Sequence, residues 1–194
     1  AASDVYKRQG YVSYITLYAN AILLLLRPQE RKTLIKDSLR LSGFALMMLT
    51  SGIGLGAWWA YRELGWGGYW FFDPVENISL MPWIAGISLH HFLLVTNKSG
   101  NFFYWSVITS FVSFLLTLYG LFFVRSGIIT SVHSFAFSRE RGFYLFVICG
   151  ILTLLAFAAF ILREKENHPD SKAHFPSILT PRDKIIIVGN VLWI

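Results

Sequence analysis

Long apolar runs separated by polar segments constrain what this sequence can fold into. Four of them cover residues 42–59, 80–96, 102–124 and 143–162, a shorter one covers 11–26, and a sixth begins at 185 and continues to 194. A helix needs about 20 apolar residues to cross a bilayer. The composition, 55% hydrophobic and 14% charged with mean hydropathy +0.52, is typical of a polytopic membrane protein. We therefore predict an all-α polytopic membrane protein with about five or six transmembrane helices.

Basic residues are unevenly distributed among the polar segments. The loop 27–40 holds Arg27, Arg31, Lys32, Lys36 and Arg40, whereas residues 58–83 hold only Arg62. Because basic loops stay in the cytoplasm, we predict that 27–40 and 163–184 are cytoplasmic and that 58–83 and 125–142 are extracytoplasmic. The net charge of +6 then reflects membrane topology, and no nucleic-acid partner is expected. The segment 125–142 departs from the rule, which indicates an anionic partner for its basic residues, Arg125, Arg139 and Arg141.

The segment 58–83 contains five of the seven tryptophans, namely Trp58, Trp59, Trp66, Trp70 and Trp83. Its glycines and charged residues make it unsuited to cross a bilayer as a plain helix. An interfacial aromatic belt explains a single tryptophan, but it does not explain the glycines or the DPVEN turn that accompany these five. A large planar ligand explains all three features. Asp73, Pro74 and Glu76 are also the N-cap, N1 and N3 residues expected at the start of the next helix.

Two histidines are candidate metal ligands. His133 lies in the segment 125–142, on the same predicted side as the tryptophans, and is either an axial iron ligand or a solvated loop residue. His91 lies inside the third run, about 20 Å along a helix from Asn77. An ionisable group at that depth is a functional candidate, and the alternative is a neutral histidine hydrogen-bonded to a neighbouring helix. His90 points about 100° away from His91 and is interpreted as a packing residue.

The stretch WWAYRELGWGGYWFFDPVEN, residues 58–77, closely resembles the tryptophan-rich WWD signature of haem-handling proteins. The resemblance is to the CcmF family of haem lyases, which act in cytochrome c maturation. It continues through LMPW at 80–83, Leu-His-His at 89–91 and VRSGIITSVHSFA at 124–136, and it covers about 10–194. Tyr69 and Phe72 stand where the family usually has tryptophan, so a stacking surface remains while two indole N–H donors are lost.

The resemblance implies two haem sites. Haem in transit would be received from a periplasmic, CcmE-like chaperone, with Arg125 near its propionates and His133 as an axial ligand. The other residues expected to bind this haem are Trp58, Trp59, Trp66, Trp70, Phe72 and Asp73. A stable transmembrane b-type haem would use His91 as one axial ligand. The reaction is thioether attachment to the CxxCH motif of apocytochrome c, with CcmH-like subunits as further partners, in the bacterial inner membrane. No residue is expected to act as a catalytic nucleophile or general acid.

The first nine residues, AASDVYKRQ, are polar, lack a signal-peptide pattern and join the similar region abruptly at Gly10. We predict that 1–9 are foreign and that 10–194 are an internal part of a haem-handling domain, which is expected to be inactive as a lyase by itself. Two alternative functions remain open. One is an electron-transfer or quinone-binding subunit that uses His91 with another buried histidine. The other is a transporter or scaffold whose tryptophan loop only docks partner proteins.

Overall fold

Five long helices make up most of the chain in the computed structural model, which describes residues 2–63, 65, 67–129, 138–163, 185 and 189. The helices are α1 (Ala2–Leu26), α2 (Arg31–Glu63), α3 (Pro74–Ser99), α4 (Phe103–Ser126) and α5 (Arg139–Ile161). All five are long and apolar enough to cross a membrane, and the described residues contain no β-strand. The predicted all-α, polytopic membrane fold is therefore confirmed. Residues 164–184 and most of the sixth run lie outside the described part of the chain.

The basic segment 27–40 is not the loop that we predicted. Only Arg27 and a short 3-10 turn, Pro28–Glu30, separate α1 from α2, so residues 31–40 form the first turns of α2. The physical reason is their amphipathic pattern, because Leu34, Ile35 and Leu39 recur at helical spacing and pack against the core. The charged side chains can then occupy the opposite face of the same helix.

Helix α1 also begins earlier than the apolar run that predicted it. Residues 2–9 continue the helix in the N-terminal direction, and whether they are foreign to the protein stays a prediction. The helix packs closely against α2 at Gly10, where an added Cβ would lie 2.6 Å from Cγ of Leu49. This close approach shows that α1 is already in close contact with α2 at Gly10.

Helix α1 lies at the centre of the core. Its buried side chains pack together with residues of the other four helices, including Leu49 of α2, Leu89 of α3, Phe111 of α4 and Ala156 of α5. The α1 residues in this cluster are Tyr14, Leu17, Tyr18, Ala21, Leu24 and Leu25. The shortest of the complete apolar runs therefore forms the most enclosed helix.

Helix α5 lies at the periphery, against α4 and α1. Many of its large apolar side chains are exposed, such as Phe143, Leu154 and Phe157, as suits a helix in contact with lipid or with further helices. Cys149 is a buried free thiol on this helix. With a single cysteine in the sequence, the chain cannot contain an internal disulfide.

Candidate functional site

The tryptophan segment is divided between two helices and a short connection. Trp58 and Trp59 lie in the last turns of α2, where they are about half exposed, and Trp83 lies within α3. The connection between these helices is therefore residues 64–73, which is shorter than the predicted loop of 58–83. Trp66 lies outside the described residues. Helix α2 thus holds two of the tryptophans predicted to bind haem, Trp58 and Trp59, at the edge of the connection.

A capping box begins α3, as the sequence predicted. One oxygen of Asp73 accepts a hydrogen bond from the backbone N–H of Val75 at 3.0 Å. Oε2 of Glu76 accepts from the backbone N–H of Asp73 at 3.3 Å and from that of Phe71 at 3.0 Å. Glu76 therefore does more than complete the box, because it also holds the backbone of the residue two positions before the cap.

Phe72 is presented to solvent in a strained conformation. Its φ is +57°, a region that bulky side chains rarely adopt and that costs about 1–3 kcal/mol. The side chain is nevertheless 76% exposed, so burial of the ring does not offset the strain. The backbone is held in place instead by hydrogen bonds, since Phe71 N–H and Asp73 N–H both donate to Glu76 and the Phe72 carbonyl accepts from Nδ2 of Asn77 at 3.0 Å.

Asn77 connects two of the aromatic residues. While its Nδ2 donates to the Phe72 carbonyl, its Oδ1 accepts a hydrogen bond from Nε1 of Trp70 at 3.4 Å. The sequence reasoning did not assign a site role to Asn77 and treated Glu76 only as a helix cap. The signal that could have identified them is the presence of two polar side chains one helical turn after an aromatic run, where they can reach back to its backbone.

We call the aromatic residues Trp58, Trp59, Tyr69, Trp70 and Phe72, which lie in the last turns of α2 and in the connection after it, the platform. Two further contacts involve these residues. Tyr69 stacks on Tyr61 of α2, with ring centroids 4.5 Å apart and an interplanar angle of 23°. The guanidinium of Arg62 lies 5.4 Å from the ring centroid of Trp58. Tyr69, where the resemblance leads us to expect tryptophan, therefore stacks on an aromatic neighbour.

The end of α4 lies beside the first turns of α3. Ile78 and Met81 of α3 line an apolar cavity of about 290 Å³ with Phe123 of α4 and Ile128 and Ile129 beyond it. Arg125 is exposed at this end of α4. His133 lies outside the described residues, so its predicted proximity to the platform stays a prediction, as does the role of Arg125.

The two histidines of α3 have different surroundings. His91 is exposed on a face of α3 that the described helices leave uncovered, and it makes none of the hydrogen bonds described for this chain. His90 is half-buried, and its Nδ1 lies 2.9 Å from Oγ of Ser42 on α2. The hydrogen bond to a neighbouring helix, considered as the alternative for His91, is thus made by His90.

Comparisons with known proteins agree with this architecture. Residues 9–130 match the family described as cytochrome C assembly protein. The cytochrome c-type biogenesis protein NrfE of Haemophilus influenzae is 46% identical over 157 residues, which cover 79% of this chain and 24% of the relative. The cytochrome c-type biogenesis protein CcmF of the same organism is 45% identical over 188 residues, which cover 94% of this chain and 28% of the relative.

A solved structure described as cytochrome c heme lyase CcmF has a similar fold. Its TM-score is 0.74 at 25% identity, and the match covers 99% of this chain and 28% of that one. The chain therefore spans about a quarter of the length of the relatives that it matches.

Proposed function

This chain belongs to the cytochrome c assembly protein family, and from that membership we propose that it forms part of a membrane haem lyase. In this proposal the substrate haem arrives from a periplasmic, CcmE-like chaperone and is received on the platform. The complete protein then attaches it to the CxxCH cysteines of apocytochrome c, which CcmH-like subunits present. The membrane is the bacterial inner membrane.

The observation that carries this proposal is the held backbone of Phe72. A strained residue with an exposed aromatic ring persists only when its surroundings enforce it, and such residues concentrate at functional sites. Here Glu76 and Asn77 hold the backbone of residues 71–73 in place through three hydrogen bonds. A preorganised aromatic surface binds a planar macrocycle at a lower entropic cost than a mobile one, and each ring stack contributes about 0.5–1.5 kcal/mol.

In this mechanism the protein orients the reactants. Each cysteine thiol adds across one vinyl group of the substrate haem, so that a C–S bond forms and the thiol hydrogen passes to the vinyl carbon. That reactivity belongs to the cofactor, and the protein contributes binding and orientation. We therefore assign the platform the task of holding the macrocycle with its vinyl edge accessible, and we assign His133 to the iron of the same haem.

His91 is the proposed ligand of a resident b-type haem. The fit is supported by an imidazole that lies deep in a membrane-spanning helix, is exposed at that depth, and is not engaged by the described helices. Polar groups in such positions are costly unless they serve a ligand or a partner. When bound, this haem would supply an electron to the incoming iron.

The proposed orientation places the platform on the periplasmic side, because the first turns of α2 are strongly basic. Cysteine substitutions at Trp66 and His133 should be labelled by an impermeant maleimide in intact cells. Background labelling should be low, since the single native cysteine is buried. Protection of both positions until the cells are lysed would reverse the assignment.

Haem capture tests the proposal directly. We would join this chain in frame to the remaining segments of the Haemophilus influenzae CcmF relative, in place of the segment it matches, to give a chimaera. In this chimaera, Trp58→Ala with Trp70→Ala should weaken haem capture from the chaperone by about tenfold, because two stacking partners are lost. Maturation of a reporter cytochrome c in a lyase-deficient host should fall with it.

The matched control is Trp105→Ala. Trp105 is 46% exposed, much like Trp59 at 45%, but it lies at the opposite end of the bundle, in the first turn of α4. If these tryptophans act only as an interfacial belt, the control should be as harmful as the platform variant. Equal effects, or unchanged capture in the platform variant, would therefore contradict the proposed function.

A further inference from the structure

His90 makes a hydrogen bond whose direction can be deduced. Oγ of Ser42 donates to the carbonyl of Leu39 at 2.8 Å, which uses the only proton of the hydroxyl. Both bonds are satisfied together when Nδ1 of His90, at 2.9 Å from the same Oγ, is the donor. Because Ser42 is almost fully buried and its hydroxyl is anchored to its own helix, the imidazole of His90 is tied to a fixed point on α2.

The His90–Ser42 hydrogen bond lies directly beside His91. The other described side-chain hydrogen bonds between α3 and neighbouring helices lie farther from His91 along α3. Nε1 of Trp83 donates to Oγ1 of Thr50 on α2 at 2.8 Å, about two turns nearer the start of α3. The hydroxyl of Tyr14 donates to the Pro82 carbonyl at 3.0 Å in the same region. Toward the other end, Thr96 bonds to Ser106 of α4 at 2.8 Å.

The rotation of α3 about its own axis decides where His91 points. Adjacent residues leave a helix about 100° apart, so a His90 ring held against α2 sends His91 toward the face that the described helices leave uncovered. A rotation of about 20° would move a group about 9 Å from the axis by about 3 Å. That displacement exceeds the tolerance of about 0.5 Å within which a metal ligand must be held.

We propose that His90 is a positioning residue, whose hydrogen bond to Ser42 sets the rotation of α3 and thereby aims His91 at its ligand. This inference rests on the proposed function, in which His91 ligates a b-type haem. It adds that the iron ligand, His91, is oriented by its neighbour in the sequence, His90. His90 does this through a hydrogen bond to Ser42 on another helix, α2.

The test uses the chimaera, purified in detergent, with haem content measured by pyridine haemochrome and the ligand field of the ferric haem measured by EPR. Ser42→Ala and His90→Phe each remove the hydrogen bond while keeping comparable packing. Both should weaken haem retention by about tenfold, which is typical when the group that orients a metal ligand is lost. Both should also broaden or shift the EPR signal of the remaining haem.

Rescue distinguishes positioning from ligation. In His90→Asn the side-chain amide can still donate to Ser42 but does not ligate haem iron, so it should restore most of the haem and the parental EPR signal. A His90→Asn variant as poor as His90→Phe, together with an unaffected Ser42→Ala, would identify His90 as a ligand and overturn the proposal.

Two controls separate positioning from general packing. Thr50→Val removes the Trp83 hydrogen bond, which also links α3 to α2, and should leave the haem signal unchanged. Gly43→Ala places a methyl group 3.5 Å from Cε1 of His90, an ordinary contact, and should also be neutral. If Thr50→Val lowers haem content as much as Ser42→Ala, the effect belongs to helix packing and the proposal fails.

His91→Ala separates the two levels of inference. Retention of the b-type haem in this variant would remove His91 as a ligand and overturn both the proposed ligand and the positioning role. Loss of haem in His91→Ala, with parental spectra in Ser42→Ala and His90→Phe, would overturn only the positioning role.

Discussion

The platform and the histidine pair of α3 are held by contacts of very different range. Trp70 and the backbone around Phe72 are held by Glu76 and Asn77, which lie within seven positions of the groups they bond. His90 is held by Ser42, which is 48 positions away in the sequence. The first arrangement can form from a short piece of chain, whereas the second exists only when α2 and α3 are packed together.

This difference predicts two separable responses to mutation. Changes in the local hydrogen bonds of the connection should alter the platform and leave the helix bundle intact. Changes in interhelical packing should alter the surroundings of His91 and the stability of the whole bundle, because α1, α2 and α3 share one core.

The largest expected effect is that of Gly86→Ala. A Cβ at Gly86 would collide with the hydroxyl of Tyr14, the residue that bonds to the Pro82 carbonyl from α1. Overpacking of this kind should lower the free energy of unfolding by about 3 kcal/mol. We expect a lower thermal midpoint of the chimaera and loss of the b-type haem.

Gly54→Ala is the matched control, because a Cβ at Gly54 would have no neighbour within 4 Å. Adding Tyr14→Phe to Gly86→Ala removes the colliding oxygen and should recover part of the stability. A Gly86→Ala variant with the parental midpoint would show that α1 and α3 are not closely packed at this point.

A smaller effect is expected for Asn77→Ala. This change removes the bonds to the Phe72 carbonyl and to Trp70, so the platform should lose its fixed geometry. Losing about 1.4 kcal/mol of preorganisation corresponds to about tenfold weaker haem capture. The thermal midpoint and the b-type haem should stay close to those of the parent.

Asn97→Ala, an exposed substitution near the other end of α3, is the control for Asn77→Ala. Asn77→Asp keeps an acceptor for Trp70 but loses the donor to Phe72, and it should give an intermediate result. A large loss of stability in Asn77→Ala would contradict the local character of the platform.

The smallest effects are expected at Phe72 itself. Phe72→Trp introduces the tryptophan that the resemblance leads us to expect at this position and should be neutral or mildly favourable for haem capture, since an aromatic ring is kept at the same backbone position. Phe72→Gly should stabilise the connection by about 1 kcal/mol, because glycine adopts a positive φ without strain.

Phe72→Gly should nevertheless weaken haem capture by a few-fold, because one stacking ring is lost. The two readouts, thermal midpoint and haem capture from the chaperone, should therefore move in opposite directions. If both improve, the ring of Phe72 makes no contact with the captured haem.

The parts of the fold that could be predicted from the sequence are those determined by residues close to one another in the chain. Apolar runs located all five helices, although the run at 11–26 is short for a membrane crossing, and Asp73, Pro74 and Glu76 located the start of α3. The predicted loop at 27–40 was wrong because charged residues on one face concealed the apolar face formed by Leu34, Ile35 and Leu39. Counting charges predicts a membrane boundary but does not show where a helix begins.

The sequence by itself determined that the chain crosses a membrane, where α3 begins, and that aromatic residues gather before it. Each of these depends on apolar content or on hydrogen bonds between residues a few positions apart. Only the tertiary structure decided which of two adjacent histidines is tied to α2 and which stays available. Both have the same side chain at the same depth, and the difference arises from the packing of α3 against Ser42, a contact that no local pattern encodes.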